Sequence, residues 1–116
     1  MNQIDEFNYI NELYEIYKNG LTEKQILVMD KYFIYNLSLS EISEDLSISR
    51  NAVSDTIKHS KEKLLNYEKT FHLYKKFNEI TKRINNLNIS EEEKKALIEV
   101  LYYGIWKFKW KISTNS

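Results

Sequence analysis

Between Leu46 and Leu64 the sequence reads LSISRNAVSDTIKHSKEKL, and this stretch carries the residue types best suited to recognising a charged partner. Counted along a helix that starts at Arg50, the side chains of Arg50, Asn51, Ser54, Asp55 and Lys58 share one side, and Lys61 follows a turn later. Arg and Lys donate to phosphate oxygens or to guanine, and Asn can bracket adenine, so this face could meet base edges or phosphates. The same residues would equally serve as an ordinary solvated helix face. On residue types alone both readings stand. The candidate nucleic-acid or partner-binding set is Ser49, Arg50, Asn51, Ser54, Lys58 and Lys61, with Ser49 as the residue that caps the helix.

Other chemistries find no support in the residue inventory. An enzyme needs an activated nucleophile, an acid and base pair, a metal cluster or a phosphate cradle, and none is visible, so no catalytic activity and no cofactor are expected. His59 and His72 lie thirteen residues apart with no companion ligand, which marks them as surface or boundary residues, not metal ligands. Glu91, Glu92 and Glu93 follow Ser90, where capping and the helix dipole already account for them.

The face must be positioned by helices. In 116 residues there are no prolines and two glycines, so little interrupts helical runs, and 42% hydrophobic residues suffice for a core. The expected class is all-α. Lys and Arg together number 17 and balance 17 Asp and Glu, a neutrality unusual for a dedicated nucleic-acid binder. The balance conceals an asymmetry: residues 1–49 hold three lysines and nine acids, net −6, and residues 50–116 hold fourteen basic residues and eight acids, net +6. The absence of cysteine suits a reducing cytosol, and neither a signal peptide nor an apolar run of membrane-spanning length is visible, so a cytoplasmic protein is expected.

Apolar spacing predicts a first helix over Ile4–Lys18, with Phe7, Ile10, Leu13, Tyr14 and Tyr17 inward and Gly20 at its end. Thr22 with Gln25, and Ser38 with Glu41, have the capping-box pattern. They open a second helix that runs to about Phe33, with Leu21, Gln25, Val28 and Tyr32 inward, and a short third that buries Ile42 and Leu46. Ser47 and Ile48 make the connection to the fourth helix, and Ile42, Leu46, Ile48, Val53 and Ile57 are expected to close a small core, as in a helix-turn-helix. From Val53 through Ile57, Ser60, Leu64, Tyr67, Phe71 and Tyr74 a heptad-like stripe continues without a clear stop. It slides at Leu73 to Leu73, Phe77, Ile80, Ile84 and Leu87, which points to a bend or a change of packing partner, with a break expected near Asn66. A last helix after Ser90 carries Leu97, Leu101, Ile105 and Phe108.

The segment LTEKQILVMDKYFIYNLSLSEISEDLSISRNAVSDTIKHSKEKLLNYE resembles region four of bacterial sigma factors, in its LT..Q helix, its S..EI helix, ISR..V and its basic end. It is more closely similar to the YlxM family of small bacterial proteins, and the likeness continues into FHLYKKF, Phe71 to Phe77. Together these cover about Leu13 to Phe77. The resemblance implies a sigma-region-four-like helix-turn-helix bundle with extended C-terminal helices. It also implies a regulatory or accessory role in the bacterial signal recognition particle pathway, with the particle's GTPase or RNA as partners. Sequence-specific DNA binding by a transcriptional regulator is the alternative.

Two departures bear on that choice. Ser47 stands where sigma-type turns usually have glycine, and Asp55 shares the exposed face with Arg50 and Lys58, where a carboxylate repels phosphate. Asp55 could instead pair with Lys58 or His59 at helical spacing. The division expected is a helix-turn-helix domain over 1–66 and a C-terminal extension over 67–116 for packing or dimerisation. The long stripe and the ring-rich YYGIWKFKWK, with Tyr102, Tyr103, Trp106, Phe108 and Trp110, lead us to expect a homodimer.

Overall fold

The computed structural model describes the backbone of residues 2–115 and the side chains of residues 2–104. Among the described residues the chain is helical throughout, without a strand. Helix α1 (Gln3–Tyr17) begins at Asn2, whose side-chain oxygen accepts the Asp5 N–H at 2.8 Å. It buries Ile10, Leu13, Tyr14 and Tyr17, the expected stripe. A 3-10 turn, Lys18–Gly20, then reverses the chain. At Gly20 the ring of Tyr67 lies where a Cβ would sit, 2.7 Å from it, and the Tyr67 hydroxyl donates to the Gly20 carbonyl at 2.7 Å. The glycine is there to admit a ring.

Helix α2 (Glu23–Phe33) and helix α3 (Leu39–Leu46) each open with the predicted capping box, Thr22 with Gln25 and Ser38 with Glu41. Helix α4 (Arg50–Phe71) packs against α1, α2 and α3 and is the central element. Ile10, Leu13, Tyr14, Tyr17, Leu21, Val28, Met29, Ile42, Val53, Ile57 and Leu64 form one buried cluster around it. Each fully buried aliphatic of this kind contributes about 1.5–3 kcal/mol from leaving water. The Tyr14 hydroxyl donates to Asp30 at 2.6 Å, and Lys18 closes on the same carboxylate at 2.9 Å, which pins α1 to α2.

The break in the long stripe falls at His72, not near Asn66. α4 runs through residues 66 and 67 without interruption, and His72 alone separates it from helix α5 (Leu73–Asn85). Helix α6 (Glu91–Asn115) folds back against α5, α1 and the 3-10 turn. Ser90 caps it by accepting the Glu93 N–H at 3.1 Å. Four stripe positions differ from expectation. Phe71 at the end of α4, Ile80 on α5 and Leu87 just beyond α5 are exposed, where Leu73 and Phe77 are half-buried and Ile84 is buried, and on α6 Leu97 is exposed while Ile98 and Leu101 are half-buried. The side chains of Ile105, Trp106, Phe108 and Trp110, and of Lys107, Lys109 and Lys111, lie outside the described residues.

Candidate partner-binding surface

The turn between α3 and α4 is three residues long and is stitched from both sides. Ser47 takes the left-handed conformation, φ 55° and ψ 42°. That is the conformation that glycine would adopt most readily, and here a serine holds it. Ile48 N–H donates to the Ser43 carbonyl at 3.2 Å, and Ser43 Oγ donates back to the Ile48 carbonyl at 2.6 Å. Ser49 then accepts the Ala52 N–H at 3.0 Å and starts α4. Beneath the turn Ile42 and Val53 are fully buried, Ile57 is nearly so, and Leu46 and Ile48 are half-buried against them.

This scaffold brings the candidate residues together on one side. Ser49, Arg50, Asn51, Ser54 and Lys58 are exposed along the start of α4, and Lys61 is half-buried a turn further on. Asp55 is exposed among them, and the ion pair with Lys58 or His59 that its spacing allowed is not formed among the described residues. His59 is exposed on the same helix, and His72 is the residue between α4 and α5. Among the described residues no three His, Cys, Asp or Glu side chains are grouped as metal ligands.

The helix before the turn carries an acidic patch. Glu41, Glu44 and Asp45 are exposed on α3 and line a shallow depression with Leu37. Lys31 of α2 bonds the Asp45 carboxylate. The hydrogen bond from the Ser38 N–H holds the Glu41 carboxyl below its ordinary pKa, so it stays charged as pH falls. Glu44 and Asp45 could have been found from the sequence, because the buried position Ile42 fixes which side of α3 faces solvent.

Away from this surface, a buried polar cluster holds the α4–α5 junction. The Tyr17 hydroxyl donates to Glu68 Oε1 at 2.7 Å and accepts the Leu73 N–H at 3.1 Å. Glu68 accepts the N–H groups of Tyr74 and Lys75 at 3.0 and 3.1 Å, and so satisfies the first turn of α5. Burial, and then the bond to Glu68, push the Tyr17 hydroxyl well above its ordinary value of 10.0. Sequence reasoning did not single out Glu68, because nothing near it in the chain signals a partner 51 residues away.

A helical core with a stitched three-residue turn between α3 and α4, and the start of α4 exposed, defines a helix-turn-helix protein. The comparisons with known proteins agree. Residues 4–102 match the model of the UPF0122 family, described as "Putative helix-turn-helix protein, YlxM / p13 like". The UPF0122 protein YlxM of Bacillus subtilis is 38% identical over 104 residues, covering 84% of this chain and 94% of that protein. A UPF0122 protein of Mycoplasma capricolum is 34% identical over 110 residues, covering 95% of both chains. The chain belongs to the UPF0122 family, as its likeness to YlxM proteins led us to expect.

Proposed function

We propose that this chain is a regulatory or accessory protein of the bacterial signal recognition particle pathway, and that its helix-turn-helix surface engages a particle component without reading DNA sequence. The observation that carries the second half is the charge of the approach surface. In DNA-reading proteins of this kind the second helix enters the major groove and the first crosses the phosphate backbone. Here the first helix, α3, offers exposed Glu41 and Glu44 and an Asp45 that Lys31 bonds, and α4 adds Asp55. A phosphate chain laid over α3 would meet carboxylates. A protein or structured-RNA partner can place donors and cations against the acids and its own acceptors against Arg50, Asn51, Ser54 and Lys58. The first half rests on the resemblance to YlxM proteins, which implies that role.

The alternative, a sequence-specific transcriptional regulator, is favoured by one feature: the turn is well formed and Arg50, Asn51 and Ser54 are presented where base edges would lie. Two binding experiments separate the readings. Purified particle GTPase and particle RNA, titrated separately with the chain, should give binding to at least one that Arg50→Ala and Lys58→Ala weaken. Failure of both titrations, with sequence-selective duplex binding lost in Arg50→Ala, would establish the alternative.

A further inference from the structure

α4 and α5 are separated by one residue that the sequence does not mark as a stop. His72 is left-handed, φ 56° and ψ 30°, in a stretch from Arg50 to Asn85 that contains neither glycine nor proline. A β-carbon crowds the carbonyl in that conformation. Leu64, Tyr67, Phe71 and Tyr74 keep helical spacing across the break. The helical bond pattern also nearly bridges it: His72 N–H donates to the Glu68 carbonyl at 2.8 Å, and Lys76 N–H to the His72 carbonyl at 2.9 Å. Three amides, those of Leu73, Tyr74 and Lys75, have left the pattern for Tyr17 and Glu68.

We propose that α4 and α5 also join into one continuous helix, and that two copies of the chain then exchange their α5–α6 hairpins, each seated on the other copy's α1 and 3-10 turn. Joining them requires only that the three amides turn to the carbonyls of Lys69, Thr70 and Phe71, the i→i−4 partners of an unbroken helix. The cradle that the hairpin leaves is lined by α1 and the 3-10 turn, and Leu73 and Tyr74 pack on the buried cluster in the single chain, with Tyr9 and Tyr74 edge to face at 5.3 Å. An identical hairpin from a second copy fits it by construction, so every contact is regained except those at the elbow. Short hinges under strain favour this exchange. The hairpin also exposes Ile80, Leu87, Leu97 and Val100, apolar surface that a second copy can help to cover. This inference does not depend on the partner reading above.

His72 sets the balance. His72→Gly relieves the left-handed strain and weakens a continuous helix, so it favours the single chain; His72→Ala does the reverse. Because each dimer contains two such residues, their dimerisation constants should differ by roughly 10²- to 10⁴-fold, with wild type between them. His72→Asn, which tolerates the left-handed region, should shift the same way as glycine. Sedimentation of the full chain at tens of micromolar, on the order of weak to moderate association, reads this directly. Spin labels on cysteines placed at Glu62 and Lys82, with labelled chain diluted into unlabelled chain, read the intrachain distance. A continuous helix puts those positions about 30 Å apart, 20 residues at 1.5 Å each. The expected result is a wild-type and His72→Ala dimer at that distance, and a different distance in the His72→Gly monomer. A dimer that keeps the monomer's intrachain distance, equal association of the Gly and Ala variants, or monomers throughout would overturn the proposal.

Discussion

Two junctions in this chain share a backbone conformation and differ in everything that holds it. At the α3–α4 turn Ser47 has φ 55°, and at the α4–α5 elbow His72 has φ 56°. The first is stitched by its own neighbours: Ser43 and Ile48 exchange two bonds across five residues, and Ser49 caps the helix that follows. The second is held from afar, by a tyrosine of α1 and a glutamate one turn upstream in α4. A left-handed residue is therefore not by itself a hinge or a rigid corner. Which of the two it becomes depends on whether the stitching is local, and so present whenever the segment folds, or requires the tertiary fold to be in place.

Predictions that test the contrast run from the largest effect to the smallest. Ile57→Ala removes a nearly buried side chain from beneath the α3–α4 turn and should cost about 2–5 kcal/mol in a denaturant titration. An unchanged midpoint would mean that the turn does not rest on that core. Glu68→Ala leaves the Tyr17 hydroxyl and two amides of α5 without their acceptor. It should cost about 1–3 kcal/mol and speed hydrogen exchange at Tyr74 and Lys75 while Ile48 and Ala52 stay protected. Equal loss of protection at both junctions would show that they are one cooperative unit. Ser47→Gly removes the left-handed penalty from a turn that needs no other change, and thermal unfolding should report a gain of about 1 kcal/mol.

The smallest effect is on pH dependence. Burial and the bond to Glu68 raise the Tyr17 hydroxyl above its unfolded value of 10.0, so the folded state favours the protonated ring. The stability this provides is fully present below pH 10 and is lost as pH rises beyond it, because the unfolded chain ionises first. Alkaline unfolding followed from pH 8 to 12 should be less steep in Tyr17→Phe, whose loss of the hydroxyl lowers stability at neutral pH instead. Curves of the same steepness would exclude Tyr17 as the titrating group, leaving Tyr14, which burial and Asp30 raise, and Tyr9 and Tyr74, which are raised in the same direction.

The legibility of the sequence follows the same division. Thr22 with Gln25, Ser38 with Glu41 and Ser49 each announce a helix start within four residues, and the structure forms all three caps as read. The apolar periods of α1 and α3 were readable for the same reason, since a stripe is a local property of the chain. The elbow was legible in part: the slide of the stripe at Leu73 signalled it, but the break was read near Asn66 and falls at His72, where the amides of Leu73, Tyr74 and Lys75 are drawn to Glu68 and to Tyr17, more than fifty residues earlier. The stripe positions Ile80 and Leu97 were misplaced because α5 and α6 pack on each other and on α1, and which face meets which neighbour is set by that packing. The candidate surface was legible as a set of exposed residues, and the acidic patch on α3 was legible too, once Ile42 is taken as the inward position.

The central claim is that a well-formed helix-turn-helix here presents a surface of mixed charge that does not read duplex sequence. A titration of the full-length chain against a randomised duplex pool at physiological salt, with recovery and sequencing of the bound fraction, tests it most directly. From Arg50 to Lys63 the helix carries Arg50, Lys58, Lys61 and Lys63 against Asp55 and Glu62, net +2. The account predicts no enriched sequence, and any binding seen at low salt should fall with a shallow logarithmic salt slope of about −2 to −4. Sub-micromolar binding with an enriched motif that disappears in Arg50→Ala would contradict it.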